Sequence, residues 1–299
     1  MDNLSLWELT QETYRAIVPT YGPVIDHFCT ETGLNGLAVS WLLAAFTFEP
    51  ETISPTRLQV RGPYTAASAY QAKLAALADK SLLAEVKPSE YLLTMRGEIE
   101  IIRLLKEVRE AIAEADPLPL VASQRLAALL EILVHASLDA LPPPNHWSIA
   151  LAYKLMPAAS PPLPYTEQAV SCLNGYRDDA HLAAWQPSGL SATAFETLTL
   201  FWRGEADSLE AVSQHLRHRG HSLRVYMHAL ETLRARGFVE CDDGHPHLTQ
   251  SGKEFRQQVE VKTDRYFFAP WDHLNPDEKS ELADLLLQLR DNLQTRTKK

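Results

Sequence analysis

The stretch that decides the fold runs from Leu209 to Gly252: LEAVSQHLRHRGHSLRVYMHALETLRARGFVECDDGHPHLTQSG. Leu209 to Leu216 reads as a short helix, broken at Arg219-Gly220-His221. Ser222 to Ala235 then carries Val225, Leu230 and Leu233 on one helical face, which predicts a long helix. Gly237 sits where a C′ glycine ends such a helix. Phe238 to Cys241, the turn signal Asp242-Asp243-Gly244, and His245 to Thr249 predict a β-hairpin. A helix over Ala192 to Trp202 precedes the stretch, and one over Lys253 to Tyr266 follows it.

Shifting the chain by 156 residues reproduces the pattern. Gly33-Leu34 falls on Gly189-Leu190, Leu42 on Leu198, Arg61 on Arg217, Tyr70 on Tyr226, Leu74 on Leu230 and Leu77 on Leu233. One residue is then lost, and Leu93-Thr94 and Gly97 meet Leu248-Thr249 and Gly252. The first copy therefore predicts a helix over Leu37 to Phe46, a short helix over Pro55 to Val60 capped by Ser54, and a turn at Arg61-Gly62-Pro63. A long helix over Thr65 to Ala78 and a hairpin through Lys87-Pro88-Ser89 complete it. Helix, short helix, turn, long helix and hairpin is the order of a winged helix-turn-helix. Further helices are expected over Glu98 to Ala115, Ser123 to Leu141 and Asp277 to Leu293. Pro142-Pro143-Pro144 and Pro157 to Pro164 mark a linker, giving modules over 1–140 and 165–299 with 141–164 between them.

The run Leu233 to Val239, the short wing and Leu248-Thr249-Gln250-Ser251-Gly252 resemble the MarR pattern of helix end, wing and Leu-Thr-x-x-Gly. Leu93-Thr94-Met95-Arg96-Gly97 repeats it more loosely. Tyr176-Arg177-Asp178-Asp179-Ala180-His181-Leu182-Ala183-Ala184 with Gly189-Leu190, and the tail from Thr263-Asp264 to Ala269-Pro270-Trp271, resemble the two-domain SalK-like helix-turn-helix family of bacteria. The resemblance spans most of residues 20–293 and is specific over 176–275. It implies a mainly α fold with small β-wings, in which two winged helix-turn-helix domains form an intrachain pseudo-dimer. Members of that family mostly lack an assigned function.

The formal net charge of −10 argues against a nucleic-acid partner taken as a total, but binding depends on placement. Residues 52–78 hold Arg57, Arg61 and Lys73 with no acid, and residues 211–230 hold Arg217, Arg219 and Arg224 with no acid. The long helices and their approaches add His221, Ser222 and His228 in one copy and Tyr64, Thr65, Ser68 and Gln71 in the other. Arg and Lys reach phosphates or guanine edges, Gln reads adenine, and hydroxyls bond phosphates. These thirteen residues are the candidate contacts to double-stranded DNA. The acidic wing tip, Asp242 and Asp243, opposes that reading.

Arg177, Asp178 and His181 share a segment that suits a small-molecule pocket between the modules, with Trp185, Trp202 and Tyr226 as aromatic walls. The same three polar residues carry the only enzymatic reading, an acid–base pair; no phosphate loop, nucleophile elbow or HExxH accompanies them. His215, His218, His221, His228, His245 and His247 cluster without completing a metal pattern, so no metal and no cofactor are expected. Three scattered cysteines suit a reducing cytoplasm. No unbroken apolar run or N-terminal leader pattern suggests a membrane. The expectation is a monomeric, cytoplasmic MarR-like regulator with internal pseudo-two-fold symmetry, its two recognition helices about one DNA turn apart and a small effector between its modules. The alternative is a ligand-binding or biosynthetic accessory protein on a scaffold that no longer binds DNA.

Overall fold

The computed structural model describes residues 1–242 and 245–297. The chain is mainly helical, with two small antiparallel sheets. In chain order come α1 (Asn3–Ile17), α2 (Gly22–Thr32), α3 (Gly36–Phe48), α4 (Pro55–Arg61), α5 (Ala67–Asp79), β1 (Leu83–Lys87), β2 (Glu90–Leu93), α6 (Met95–Ala115) and α7 (Leu120–Leu138). After α8 (Trp147–Tyr153) and α9 (Pro162–Trp185) follow α10 (Ala192–Arg203), α11 (Leu209–His215), α12 (Leu223–Ala235), β3 (Val239–Asp242), β4 (His245–Leu248), α13 (Gln250–Phe268) and α14 (Pro276–Thr297). Short polar residues open these helices. Asn35, Ser54, Ser191 and Ser208 each accept a hydrogen bond from a backbone N–H in the first turn of α3, α4, α10 and α11. The expected turn residues Asp243 and Gly244 lie outside the described residues.

The Leu-Thr-x-x-Gly stretches do the same work in both halves. Thr94 Oγ1 accepts from Gly97 N at 3.0 Å and donates to Ser81 O at 2.8 Å. Thr249 Oγ1 accepts from Gly252 N at 3.0 Å and donates to Gly237 O at 2.7 Å. Each threonine thus caps the helix after the wing and pins it to the end of the long helix before it. The glycine is required by close approach: a Cβ would lie 2.1 Å from Leu82 O at Gly97 and 2.2 Å from Phe238 O at Gly252. In the first half Ile53 adds a bridge to the hairpin, its N–H donating to Tyr91 O at 2.8 Å.

Apolar side chains gather into three cores. One lies within the first lobe, around Leu42, Ile53, Leu74 and Leu77, and one within the second, around Leu198, Val212, Tyr226 and Leu233. The third is a helical body joining them, built from α1, α7, α9, the end of α13 and α14 around Leu130, Leu173, Phe267 and Trp271. By length and composition α7 is apolar enough to cross a membrane, although Ser123, Arg125 and Glu131 break its apolar run. Leu126, Leu129, Leu130, Leu133 and Val134 of α7 are fully buried inside this body.

The stretch 141–164, expected to be linker, contains α8 and the first turn of α9. The buried Asp179 carboxylate caps α8 from a distance, accepting from Ser148 N at 2.9 Å and Ile149 N at 3.0 Å. Prolines at the start of α9 fall in the first turn, where a backbone N–H has no acceptor within the helix and its absence costs no bond.

Candidate functional site

The turns between the short and long helices of the two lobes touch each other. Ala66 N donates to Arg219 O at 2.9 Å, and His221 Nε2 lies 3.0 Å from the carbonyl oxygen of Tyr64. Trp185 Nε1 donates to the Tyr64 hydroxyl at 2.8 Å, and Arg219 Nη1 lies 3.4 Å from Thr65 Oγ1. Gly220, at φ +74°, passes so close to α5 that a Cβ there would stand 2.6 Å from Ala69 Cβ. The starts of α5 and α12 therefore abut instead of standing about one DNA turn apart, the spacing that two helices entering successive major grooves need.

This clasp sorts the thirteen candidate DNA contacts. Tyr64, Thr65, Arg219 and His221 are inside it. Arg219 is further held by Glu196, which accepts from its Nε at 2.9 Å and its Nη2 at 2.7 Å, and its guanidinium lies over the Tyr64 ring. Arg57 pairs with Glu51 and donates to Thr52 O, while Gln71 donates to the Tyr91 hydroxyl at 2.7 Å. Lys73 lies 4.6 Å from the centroid of the Trp41 ring, and burial lowers its pKa. Arg61 and Ser68 are exposed in the first lobe, and Arg217, Ser222, Arg224 and His228 in the second. Of these, His228 approaches Glu231 at 3.6 Å.

The long helices consequently differ in what they offer. The exposed positions of α5 are Ala67, Ser68, Ala72 and Ala76 before its acidic end. On α12 they are Leu223, Arg224, Val225, Met227 and His228 over the first two turns.

Between the lobes and the body lies a cleft, about 420 Å³ and mainly apolar on the side of α3 and α4, and about 350 Å³ and more polar on the side of α10 and α13. Asp178, His181, Tyr64 and Arg219 line both parts. Arg177 pairs with Asp264 at 2.9 Å, and His181 Nδ1 stands 3.2 Å from Thr263 Oγ1, so α9 bonds across to α13. Burial, reinforced by Arg256, pushes His181 down to about 4 and leaves it neutral at pH 7. Asp178 touches solvent in the cleft, yet the protein mass around it still raises its carboxyl, against the pull of Arg61 and Arg177. Trp185 stacks on Phe195 at 4.8 Å. None of the three expected aromatic walls lines the cleft: Trp185 and Tyr226 are buried in the second core, and Trp202 packs on Arg256.

Arg256, Glu196 and Glu260 were not singled out in the sequence. Arg256 is 1% exposed, lies between the Phe195 and Trp202 rings, and pairs with Glu260 at 2.5 Å. Their i,i+4 spacing on a helix was the available signal. Four of the six clustered histidines go separate ways: His215 faces Glu205, His221 the clasp, His228 Glu231 and His247 Glu240. Among the described residues no three His, Cys, Asp or Glu side chains converge on one point.

A family model described as a helix-turn-helix family matches residues 40–298. Comparisons with curated proteins and with solved structures gave no match.

Proposed function

The chain belongs to this helix-turn-helix family, and from that premise we propose a cytoplasmic DNA-binding regulator, a single-chain MarR-like pseudo-dimer, that reads duplex DNA with one of its two winged helix-turn-helix modules. Family membership points to DNA as partner and to regulation at a coarse level. The observation that carries the finer reading is the free, basic start of α12. The side chains of Arg217 and Arg224 are exposed and make no ion pair or hydrogen bond among the described residues. Ser222 opens the helix, and the first acid on it is Glu231. Recognition helices present their N-terminal residues to the major groove, and exposed Leu223 and Met227 suit thymine methyl groups. In this reading α5 is a scaffold helix, which accounts for its small exposed side chains. A small effector held by Arg177, Asp178 and His181 at the cleft would act by changing how the lobes clasp.

The test is binding of a random-sequence duplex followed by anisotropy across a salt series. Affinity should fall steeply with salt. Arg217→Ala with Arg224→Ala should weaken binding at least tenfold and flatten the log–log salt slope by about 2. Absence of binding at low salt, or an unaltered double variant, overturns the reading. That outcome favours the accessory-protein alternative, which the net charge of −10 and the closed clasp support.

A further inference from the structure

The first half has a second cavity, of about 400 Å³, under α3 where α2, α6, α8 and α9 meet. Its walls are largely aliphatic: Ile25, Val39, Leu43, Ile101, Leu104 and Leu105. One carboxylate, that of Glu167 on α9, faces into it. The hydroxyls of Tyr14 from α1 and Tyr21 from the turn after it stand against this carboxylate. Gln168 and Ser171 of its own helix are neutral. Of the cations, Arg61 stands exposed where the cavity reaches α4, and Arg109 of α6 donates to Leu155 O at 2.7 Å. Arg109 is near enough to favour the charged carboxylate but makes no ion pair with it among the described residues.

The corresponding place in the second half shows what a self-sufficient version looks like. An offset of 156 residues puts Phe195 on Val39, Glu196 on Ser40, Thr199 on Leu43 and Arg203 on Thr47; an offset of 155 puts Arg256 on Ile101 and Glu260 on Leu105. There Glu196 is answered by Arg219 and Glu260 by Arg256, and the third acid, Asp178, is open to solvent. Glu167 has no such answer. A carboxylate drawn largely out of water without an ion-pair partner destabilises a fold, and a mostly apolar cavity with a few placed polar groups is the usual form of a small-molecule site.

We propose that this cavity binds a lipophilic amine, with Glu167 as counter-ion to its ammonium group and Val39, Leu43, Ile101 and Leu105 packing on its hydrocarbon part. The Tyr14 and Tyr21 hydroxyls keep the carboxylate oriented and can accept from the remaining ammonium protons. The volume lies within the range of about 300–1,000 Å³ common to such sites. Nothing in this inference depends on DNA binding, so either can fail alone.

The test is calorimetric titration of the full chain with n-hexylamine and 2-phenylethylamine, against hexanoate and hexan-1-ol. At least one amine should bind saturably, and at least tenfold more tightly than hexanoate or the alcohol. Glu167→Gln should weaken the amine at least tenfold and leave the alcohol unchanged; a thermal melt of this variant checks that it is folded. Leu43→Trp, which fills the cavity and keeps the carboxylate, should block the amine as well. Burial lifts Glu167 to about 7, so amine affinity should rise as the pH goes from 6 to 8 and the carboxylate ionises. Lack of saturable amine binding, equal binding of all probes, or full amine binding by Glu167→Gln overturns the proposal.

Discussion

The long helices α5 and α12 start at equivalent points of the two halves, and one shows Ala67, Ser68, Ala72 and Ala76 to solvent while the other shows Arg224, Met227 and His228. The cavities behind them differ in the opposite sense. The first half keeps an aliphatic chamber around Glu167; the second lines the same place with two ion pairs, Arg256 with Glu260 and Arg219 with Glu196. A shared frame fixes where helices run and where space is left. It leaves the side chains facing that space, and those facing solvent, free to diverge.

Four experiments break or sharpen this contrast. The shared frame rests on the two crowded glycines, so Gly97→Ala and Gly252→Ala should each lose about 3 kcal/mol in denaturant unfolding, the clash being with backbone carbonyls. A large difference between them would mean that the two frames are held differently. The contrast in cavities predicts a pH effect. Burial raises Glu167 from 4.5 to about 7, so the folded chain holds this proton more tightly than the unfolded chain does. Its burden on stability is absent below the lower value and complete above the higher one. Relative to the native chain, Glu167→Gln should therefore gain on the order of 2 kcal/mol between pH 4.5 and pH 8. A gain that does not vary with pH would place the carboxylate in water.

Ser81 and Gly237 occupy the same left-handed position after α5 and α12, at φ 60° and 69°. Ser81→Gly should raise stability by about 1 kcal/mol and Gly237→Ser should lower it by as much, read from paired melts. The smallest expected effect is the most discriminating for function. A Cβ on Gly220 would lie 3.9 Å from Ala66 Cβ, within disulfide range, and 2.6 Å from Ala69 Cβ, so Ala66→Cys with Gly220→Cys in an Ala69→Gly background, which relieves that clash, should lock the clasp when oxidised. With Cys29 and Cys241 replaced by serine, DNA affinity should stay within twofold, since the outer face of α12 remains free. Loss on oxidation and recovery on reduction would show that both long helices must separate to act.

Much of the frame was readable in one dimension. The expected long helices, Thr65 to Ala78 and Ser222 to Ala235, match α5 and α12 within two residues, and the short helices and hairpins fall in place. These elements announce themselves through local signals: apolar spacing, a capping serine or threonine, a glycine after the helix. What stayed hidden depends on distant partners. The α8 segment is helical because Asp179, 31 residues away, caps it. An acid-free window around Arg219 suggested a free cation, but its partner Glu196 arrives from α10, 23 residues upstream. Local charge counting sees only the neighbours along the chain, so it picked out Arg217 and Arg224 and Arg219 alike. The clasp itself joins residues more than 120 positions apart and leaves no mark in either half read alone.

The indole of Trp185 sits at that junction, stacked on Phe195 in one lobe and hydrogen-bonded to Tyr64 of the other. Any parting of the lobes removes its acceptor and lets water reach the ring. The molecule thus carries an optical gauge of its own opening: red-shifted emission from Trp185, read against a Trp185→Phe control, reports the separation without any added dye.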